Sequence, residues 1–423
     1  MSAPEQRVPS TAVTWRRDLH AHPEVGFTEF RTASRIAGRL TDLGWQVVTG
    51  PAAMPPQARL GVPDADELEA TYARAVDDGG DPRFLPAMRG GHTAVVATLG
   101  SGGRHVAVRA DIDALPIAET EDAAHPPVAA GFASRRPGVM HACGHDGHVG
   151  IAMELAERLS ADPPAGRVSL VFQPAEEGGR GGAAVAASGL LDDVDLLVAL
   201  HLGLDLPTGA VLPANDGLLA NSKIRAVFRG RAAHAALDPQ EGRNALLGAA
   251  SATLALQGLT RVAGHATRVS VGRISGGTSS NIVPDTAEML LEVRADDGEV
   301  NADLEQRARA MLEGAARMHG LEVDIERIGS VTTATADPAA VAAVVAAAEA
   351  SGLTIAASAG SSVASDDATA LMRRVQAHGG VATYVGLGST LASGHHTRAF
   401  DIDEAALPLG VDLLERLVRA GKR

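Results

Sequence analysis

A chain of 423 residues with a formal net charge of −14 and a single cysteine is restricted in what it can be. The acidic balance argues against a nucleic-acid binder, which needs a basic face, and a lone thiol excludes an intramolecular disulfide. A hydrophobic share of 45% with only 3% aromatic residues points to a globular protein with an aliphatic core, long enough for two domains.

The opening "MSAPEQRVPSTAVTWRRDLH" has no apolar run of the kind a secretion signal needs. No later stretch approaches the ~18–20 apolar residues of a membrane helix. A soluble, cytoplasmic protein is expected. Residues 11–45 predict helices, with "RTASRIAGRLTDLG" carrying apolar positions at 3–4 spacing and Gly44 as a stop. Residues 54–91, punctuated by Pro and Gly around one short amphipathic segment, predict an insertion lying on the surface. The runs "TAVVATLG", "HVAVRADIDAL", "RVSLVFQP", "VDLLVALHLG" and "ATYVGLG" are short and continuously apolar, as in buried strands of a largely parallel sheet. "GIAMELAERLSA" and "PAAVAAVVAAAEASG" read as covering helices.

The texture changes between 219 and 332. "KIRAVFRG" and "TAEMLLEVRA" alternate apolar with other residues, the mark of half-buried strands. With "NALLGAASATLALQGL", "TRVSVGRIS", a helix capped by Asn301 and closed by Gly320, and "EVDIERI", the order is βαββαβ, that of a ferredoxin-like unit. The expected architecture is α/β: a parallel-type sheet domain from 1–218 and 333–423, interrupted by an α+β domain at 219–332.

Four places in the sheet domain set metal-competent groups just after a strand or at a helix start. Cys143 and His145 lie in "GVMHACGHDGHVG", Glu176 and Glu177 in "VFQPAEEGG", His201 ends "LLVALH", and His395 and His396 lie in "ASGHHTRAF". In an open parallel sheet, ligands collect beyond the carboxyl ends of the strands. Singly, each group has an ordinary explanation. Jointly, one thiolate, three imidazoles and a carboxylate suit Zn, Mn, Ni or Co, and five protein ligands suit a pair of ions about 3.5–4 Å apart. On this reading one member of the 395/396 pair is a ligand, Glu177 is another, and Glu176 is left as a general base. His141 and His148 are read as ordinary buried or surface histidines. Asp111 and Asp113, two apart in "RADIDALP", are read as carboxylates that orient ligands.

The stretches "WRRDLHAHPEVGFTEFRTA", "RADIDALP", "GVMHACGHDGH", "FQPAEEG", "ALHLGLDLPTG", "GRAAHAALDPQEGRNAL", "NIVPDTAEMLLEVR" and "GHHTRAFDIDEAALPLG" resemble the M20 metallopeptidase family. The branch is that of amidohydrolases such as hippurate and auxin-conjugate hydrolases. The resemblance implies two divalent ions, Zn or Mn first, held by Cys143, His145, Glu177, His201 and His396. His396 is chosen over His395 because the family's ligand precedes a Phe by four residues, here Phe400. Glu176 is implied as the catalytic base, with Asp113 beside it in the catalytic set. The inserted domain is implied as a lid and dimerisation domain, with His234 reaching the partner's site and Asn281 and Arg294 holding the substrate carboxylate. The 54–91 insertion, "GFASRRPGVMHACGHDGH" and "SDDATALMRRVQAHGG" narrow the resemblance to one of the two related chain types of p-aminobenzoyl-glutamate hydrolases. Asp366 departs from that group, which has Glu there. The implied activity is amide hydrolysis of an N-acyl amino acid by a homodimer or by a heteromer with a related chain. Another acyl-amino acid or dipeptide, or a noncatalytic role within a heteromer, are the other readings.

Overall fold

The computed structural model describes residues 10–259, 262–357 and 364–420. The stretch 1–9, part of the opening that lacks an apolar run, lies outside them. The chain divides into two compact units. One comprises the chain up to Asp216 and again from Ala334, apart from a short stretch ending at Asp366; the other comprises Gly217–Thr333 with that stretch.

The first unit is built on β1 (Gln46–Thr49), β2 (Val95–Leu99), β3 (His105–Asp111), β4 (Arg167–Gln173), β5 (Leu196–Leu202) and β6 (Ala210–Leu212). The second carries β7 (Ala220–Arg229), β8 (Thr267–Gly276), β9 (Thr286–Ala295) and β10 (Glu322–Val331), and β11 (Thr354–Ile355) and β12 (Val381–Leu387) return to the first. Among the described residues the large sheet runs β1-β2-β4-β3-β5-β12-β6-β11. Its centre, β4-β3-β5-β12, is parallel, and β2 and β6 flank it antiparallel. Every residue of β3 and β5 is buried, which explains their unbroken apolar pattern: helices cover both faces. The insertion does more than lie on the surface. Met54, Leu85 and Met88 are buried, and Leu85 and Met88 join the core to which helix Phe30–Asp42 contributes Phe30, Ile36 and Leu40.

Helix Thr11–Ala21 packs closely on helix His145–Ala161; a Cβ at Gly150 would fall 2.5 Å from the Ala12 carbonyl oxygen. Arg16, fully buried, reaches from the first helix to Asp146, Asp401 and Glu404. One guanidinium thus ties the segment after His145 to the chain just beyond His396. One turn on, His20 donates from Nδ1 to Asp146 (2.8 Å) and from Nε2 to Glu119 (3.0 Å). Burial disfavours its charge, but these carboxylates outweigh burial and push its pKa up to about 9.

The second unit has sheet order β10-β7-β9-β8, antiparallel throughout, with helices Ala245–Gln257 and Gly298–Met318 on one face. Ile224, Ala226, Phe228, Met289, Leu291 and Val293 form its core with Leu304 and Leu312. The second helix starts earlier than expected. Asp297, extended in backbone, accepts from the N–H groups of Glu299 and Val300, so Asp297 rather than Asn301 caps it. Asn301 is buried and donates to Ser222.

A histidine whose pKa rises from 6.5 to about 9 on folding stabilises fully below pH 6.5 and loses that contribution as pH climbs through 9. Wild type should therefore lose more stability across that window than His20→Gln, by on the order of 3 kcal/mol in urea unfolding. Parallel curves for the two proteins would show that His20 carries no extra proton.

Candidate metal centre

The carboxyl ends of β4, β3, β5 and β12 stand side by side, and chain order places a different donor just past or at each end. β3 delivers Asp111 and Asp113, β4 the Glu176–Glu177 loop, β5 His201, and the segment after β12 His395 and His396. Helix His145–Ala161 begins beside them after Gly144, whose left-handed backbone (φ 90°) turns Cys143 and His145 toward the same point.

Two imidazoles are held in one tautomer each. His145 Nδ1 donates to the Asp113 carbonyl (2.8 Å) and His201 Nδ1 to the Leu202 carbonyl (2.8 Å), so each ring turns its Nε2 inward. His201 Nε2 lies 3.5 Å from Cys143 Sγ. His145 Nε2 is buried without a hydrogen-bond partner, 3.9 Å from a carboxylate oxygen of each of Glu176 and Glu177. His396 Nε2 lies 3.3 Å from Glu177 Oε2. Its backbone is in the left-handed region (φ 61°), pinned by donation to the Ala142 carbonyl at 2.8 Å. Such strain in a non-glycine residue is characteristic of functional sites.

These separations fit an ion. Donors about 2.1 Å from a tetrahedral metal stand about 3.4 Å apart, close to the observed spacings. The donor atoms of Cys143, His145 and His201 form one tight group and those of Cys143, Glu177 and His396 another, sharing Cys143. Electrostatics agree. Burial disfavours a charged His145, yet Asp111, Asp113 and Glu177 drive its pKa up to about 10. The pocket is short of positive charge. His201, by contrast, is held well below the usual histidine range by burial and the neighbouring His148 and His395, in the neutral form that ligates.

Asp113 is engaged by backbone donors at both carboxylate oxygens. Its carboxylate accepts from the backbone N–H of Glu176 (3.0 Å) and of Glu177 (3.1 Å). Asp111 is bound by Arg109 (2.6 Å) and by His148, whose other nitrogen accepts from the Leu202 N–H. Burial opposes the Asp111 charge, but Arg109 and the histidines hold its pKa well below the usual range. His141 is buried, its neighbours give neither ring nitrogen a hydrogen bond, and burial lowers its pKa to about 4. His395, passed over as a ligand in favour of His396, contributes: its Nε2 accepts from the Leu204 N–H, leaving Nδ1–H 3.6 Å from Cys143 Sγ, placed to stabilise a thiolate. The adjacent pair in "GHHT" was its only sequence signal.

His234, Asn281 and Arg294 belong to the second unit. An isolated bridge joins His234 to Ile282, and Ala235 donates to the Asn281 carbonyl (3.0 Å), so two candidates distant in sequence become neighbours. His234 Nδ1 accepts from the N–H groups of Ala236 and Leu237, which assigns the proton to an exposed Nε2. Arg294 forms a two-pronged pair with Glu292 on the same strand (2.8 and 3.1 Å). Asn281 accepts from Ser279.

Residues 107–420 match the model of peptidase family M20/M25/M40. The chain is 42% identical to indole-3-acetyl-aspartic acid hydrolase of Enterobacter agglomerans, covering 95% of this chain and 93% of that protein. It is 41% identical to one of the subunits of p-aminobenzoyl-glutamate hydrolase from Escherichia coli, covering 95% and 94%. Among solved structures it resembles an aminobenzoyl-glutamate utilization protein from Klebsiella pneumoniae, with a TM-score of 0.82 at 35% identity over 96% and 95% of the chains. A dinuclear metal-binding M20 peptidase of Bacillus subtilis matches with a TM-score of 0.64 at 26% identity, over 96% of each chain.

Cys143→Ala should retain less metal than wild type after the same dialysis, and cobalt-loaded wild type should show a thiolate-to-cobalt absorption band that the variant lacks. Equal metal content would make Cys143 a packing residue.

Proposed function

The chain belongs to peptidase family M20/M25/M40, hydrolases of amide bonds, and from that premise we propose that it cleaves an N-acyl amino acid. The observation that carries this is the meeting of two donor groups at Cys143, with Glu176 grouped beside two of their members, His145 and Glu177. Both similar hydrolases are named for an aromatic acyl group on an acidic amino acid. p-Aminobenzoyl-glutamate, split to p-aminobenzoate and glutamate, is therefore the substrate proposed first, and another acyl-amino acid or dipeptide the second.

Cys143, His145, Glu177, His201 and His396 would hold two divalent ions. When bound, these supply Lewis acidity that polarises the amide carbonyl and lowers the pKa of water toward ~7. Zinc and manganese are proposed, and the mixed donor set also suits nickel or cobalt. Glu176 takes a proton from the attacking water and returns it to the leaving nitrogen. His234, with its proton on Nε2, donates to the developing oxyanion. Asn281 and Arg294 receive the carboxylate of the leaving amino acid, and Arg294 does so by exchanging Glu292 for the substrate, the same fork geometry serving both.

A homodimer through the second unit is proposed. β8 is an edge strand, and Leu247, Leu254 and Ile274 are exposed along and beside it, as an unpartnered apolar edge would be. The Escherichia coli relative is named as one subunit of its enzyme, which supports a heteromer with a related chain as the second assembly. No helix among the described residues is long and apolar enough to cross a membrane. A cytoplasmic setting, which keeps Cys143 reduced, is proposed.

Purified protein should hydrolyse p-aminobenzoyl-glutamate, lose activity on chelation and regain it with Mn²⁺ or Zn²⁺. Glu176→Gln should keep its metal and lose roughly 10²–10⁴-fold in kcat; retained turnover would remove Glu176 as base. If His234 serves a partner's site, mixing inactive Glu176→Gln and His234→Ala proteins regenerates activity, and a mixture as dead as its components excludes action across a dimer.

A further inference from the structure

We propose that Glu29 and Asp367 are positioning residues of this centre, which with Asp113 aim Glu176 and Glu177 by gripping the backbone of their loop. The inference rests on the reading of Glu177 as a ligand and Glu176 as the base.

The loop "PAEEGGRGG", residues 174–182, has no regular structure over its first half, yet its amides are almost all claimed. Ala175 donates to Glu29 Oε1 (2.9 Å), Glu176 to Asp113 Oδ1 (3.0 Å) and Glu177 to Asp113 Oδ2 (3.1 Å). Gly181 and Gly182 both donate to Asp367 Oδ2 (3.1 and 2.7 Å). The amides of Gly179 and Arg180 close the loop on itself, donating to the Glu176 and Ala175 carbonyls. Three carboxyl groups, brought from positions far apart in sequence and each buried, therefore accept five backbone donors.

This arrangement explains a strained residue. Ala175 lies in the left-handed region at φ 56°, where an alanine is unfavourable unless neighbouring contacts impose it. Glu29 imposes it by drawing the Ala175 N–H inward, and the turn that results sends the Glu176 and Glu177 side chains to the same side of the loop as His145. The packing leaves no slack. A Cβ at Gly181 would fall 1.7 Å from the Pro174 carbonyl oxygen, and one at Gly26 would fall 2.9 Å from Ala175.

The grips are themselves fixed. Thr93 donates its hydroxyl to Glu29 Oε2 (2.7 Å). Burial, reinforced by the Asp113 charge, pushes the Glu29 carboxyl up to about 8. Gln173, at the end of β4, donates to Asp367, and Gln173 also accepts from Arg109, the partner of Asp111.

The test compares Glu29→Gln, Glu29→Asp and Glu29→Ala for thermal midpoint, zinc affinity by chelator competition, and kcat and KM. Gln keeps an oxygen for the Ala175 N–H, while the Thr93 hydroxyl can turn to accept from its amide, so Gln should restore what Ala removes. Asp keeps the carboxyl group but withdraws the acceptor by one methylene. Ala and Asp are expected to weaken the zinc equivalent held by Glu177 by roughly 10–100-fold and to lower kcat by a similar factor, with KM little changed. Asp367→Asn, which keeps one oxygen, should fall between Gln and Ala. Folded Glu29→Asp with wild-type zinc affinity would overturn the proposal, because the carboxyl would then serve the fold alone; this holds even if Glu29→Ala does not fold. Zinc affinity is read without substrate, so a wild type that hydrolyses nothing removes the functional reading and leaves this comparison standing. A wild type that binds neither zinc nor manganese overturns both.

Discussion

Asp113 is bonded in two directions at once, and the centre depends on it. Its carbonyl fixes the His145 ring in the tautomer that turns Nε2 inward, while its carboxylate takes the amides of Glu176 and Glu177. A nitrogen donor from one segment and two carboxylates from another are thereby set by a single buried residue lying just past β3. A displacement of the strand end would move all three together rather than spread them. That is how a site assembled from distant segments keeps donor spacings short enough to share an ion.

Holding so many carboxylates away from water requires cations nearby, since an unpaired buried charge costs several kcal/mol. Arg109 answers Asp111 from within β3. Arg16 and His20 answer Asp146 and, through it, steady the helix that begins with His145. These positive groups sit behind the donors rather than among them, and His145 is left in a field that still asks for positive charge. The protein neutralises its supports and leaves the candidate ligands to be neutralised by an ion.

The second unit supplies a different kind of preorganisation. The amides of Ala236 and Leu237 hold the lone pair of His234, which leaves the proton on its other nitrogen, as the role proposed for it requires. Arg294 is kept extended by Glu292, a carboxylate on the same strand face. On the role proposed for Arg294, a substrate carboxylate would take the place of Glu292 in that pairing, and an uncharged ligand would leave the pair intact. A preference for a free acid belongs to that proposal.

Local patterns carried much of this. Continuous apolar runs marked the buried strands because both faces of a parallel sheet are covered, and the alternation in "TAEMLLEVRA" marked a strand with one covered face. The candidate donors of the centre were legible because thiol, imidazole and carboxylate stood at strand ends, where an α/β sheet collects its ligands. Asn301 misled because the capping competition with Asp297, four residues earlier, is settled by backbone conformation and not by residue type. The buried side of the insertion was hidden because its apolar residues are too irregularly spaced to show a face. Element order, the change of plan near residue 219 and the chemistry of the candidate donors can be read along the chain, since they follow from short-range periodicity and side-chain type. It takes the folded chain to bring His395 against the thiol, His148 against Asp111, and Glu29 and Asp367 onto the loop of Glu176 and Glu177. Each of those depends on groups far apart along the chain meeting at hydrogen-bond distance, and no local pattern records such a meeting.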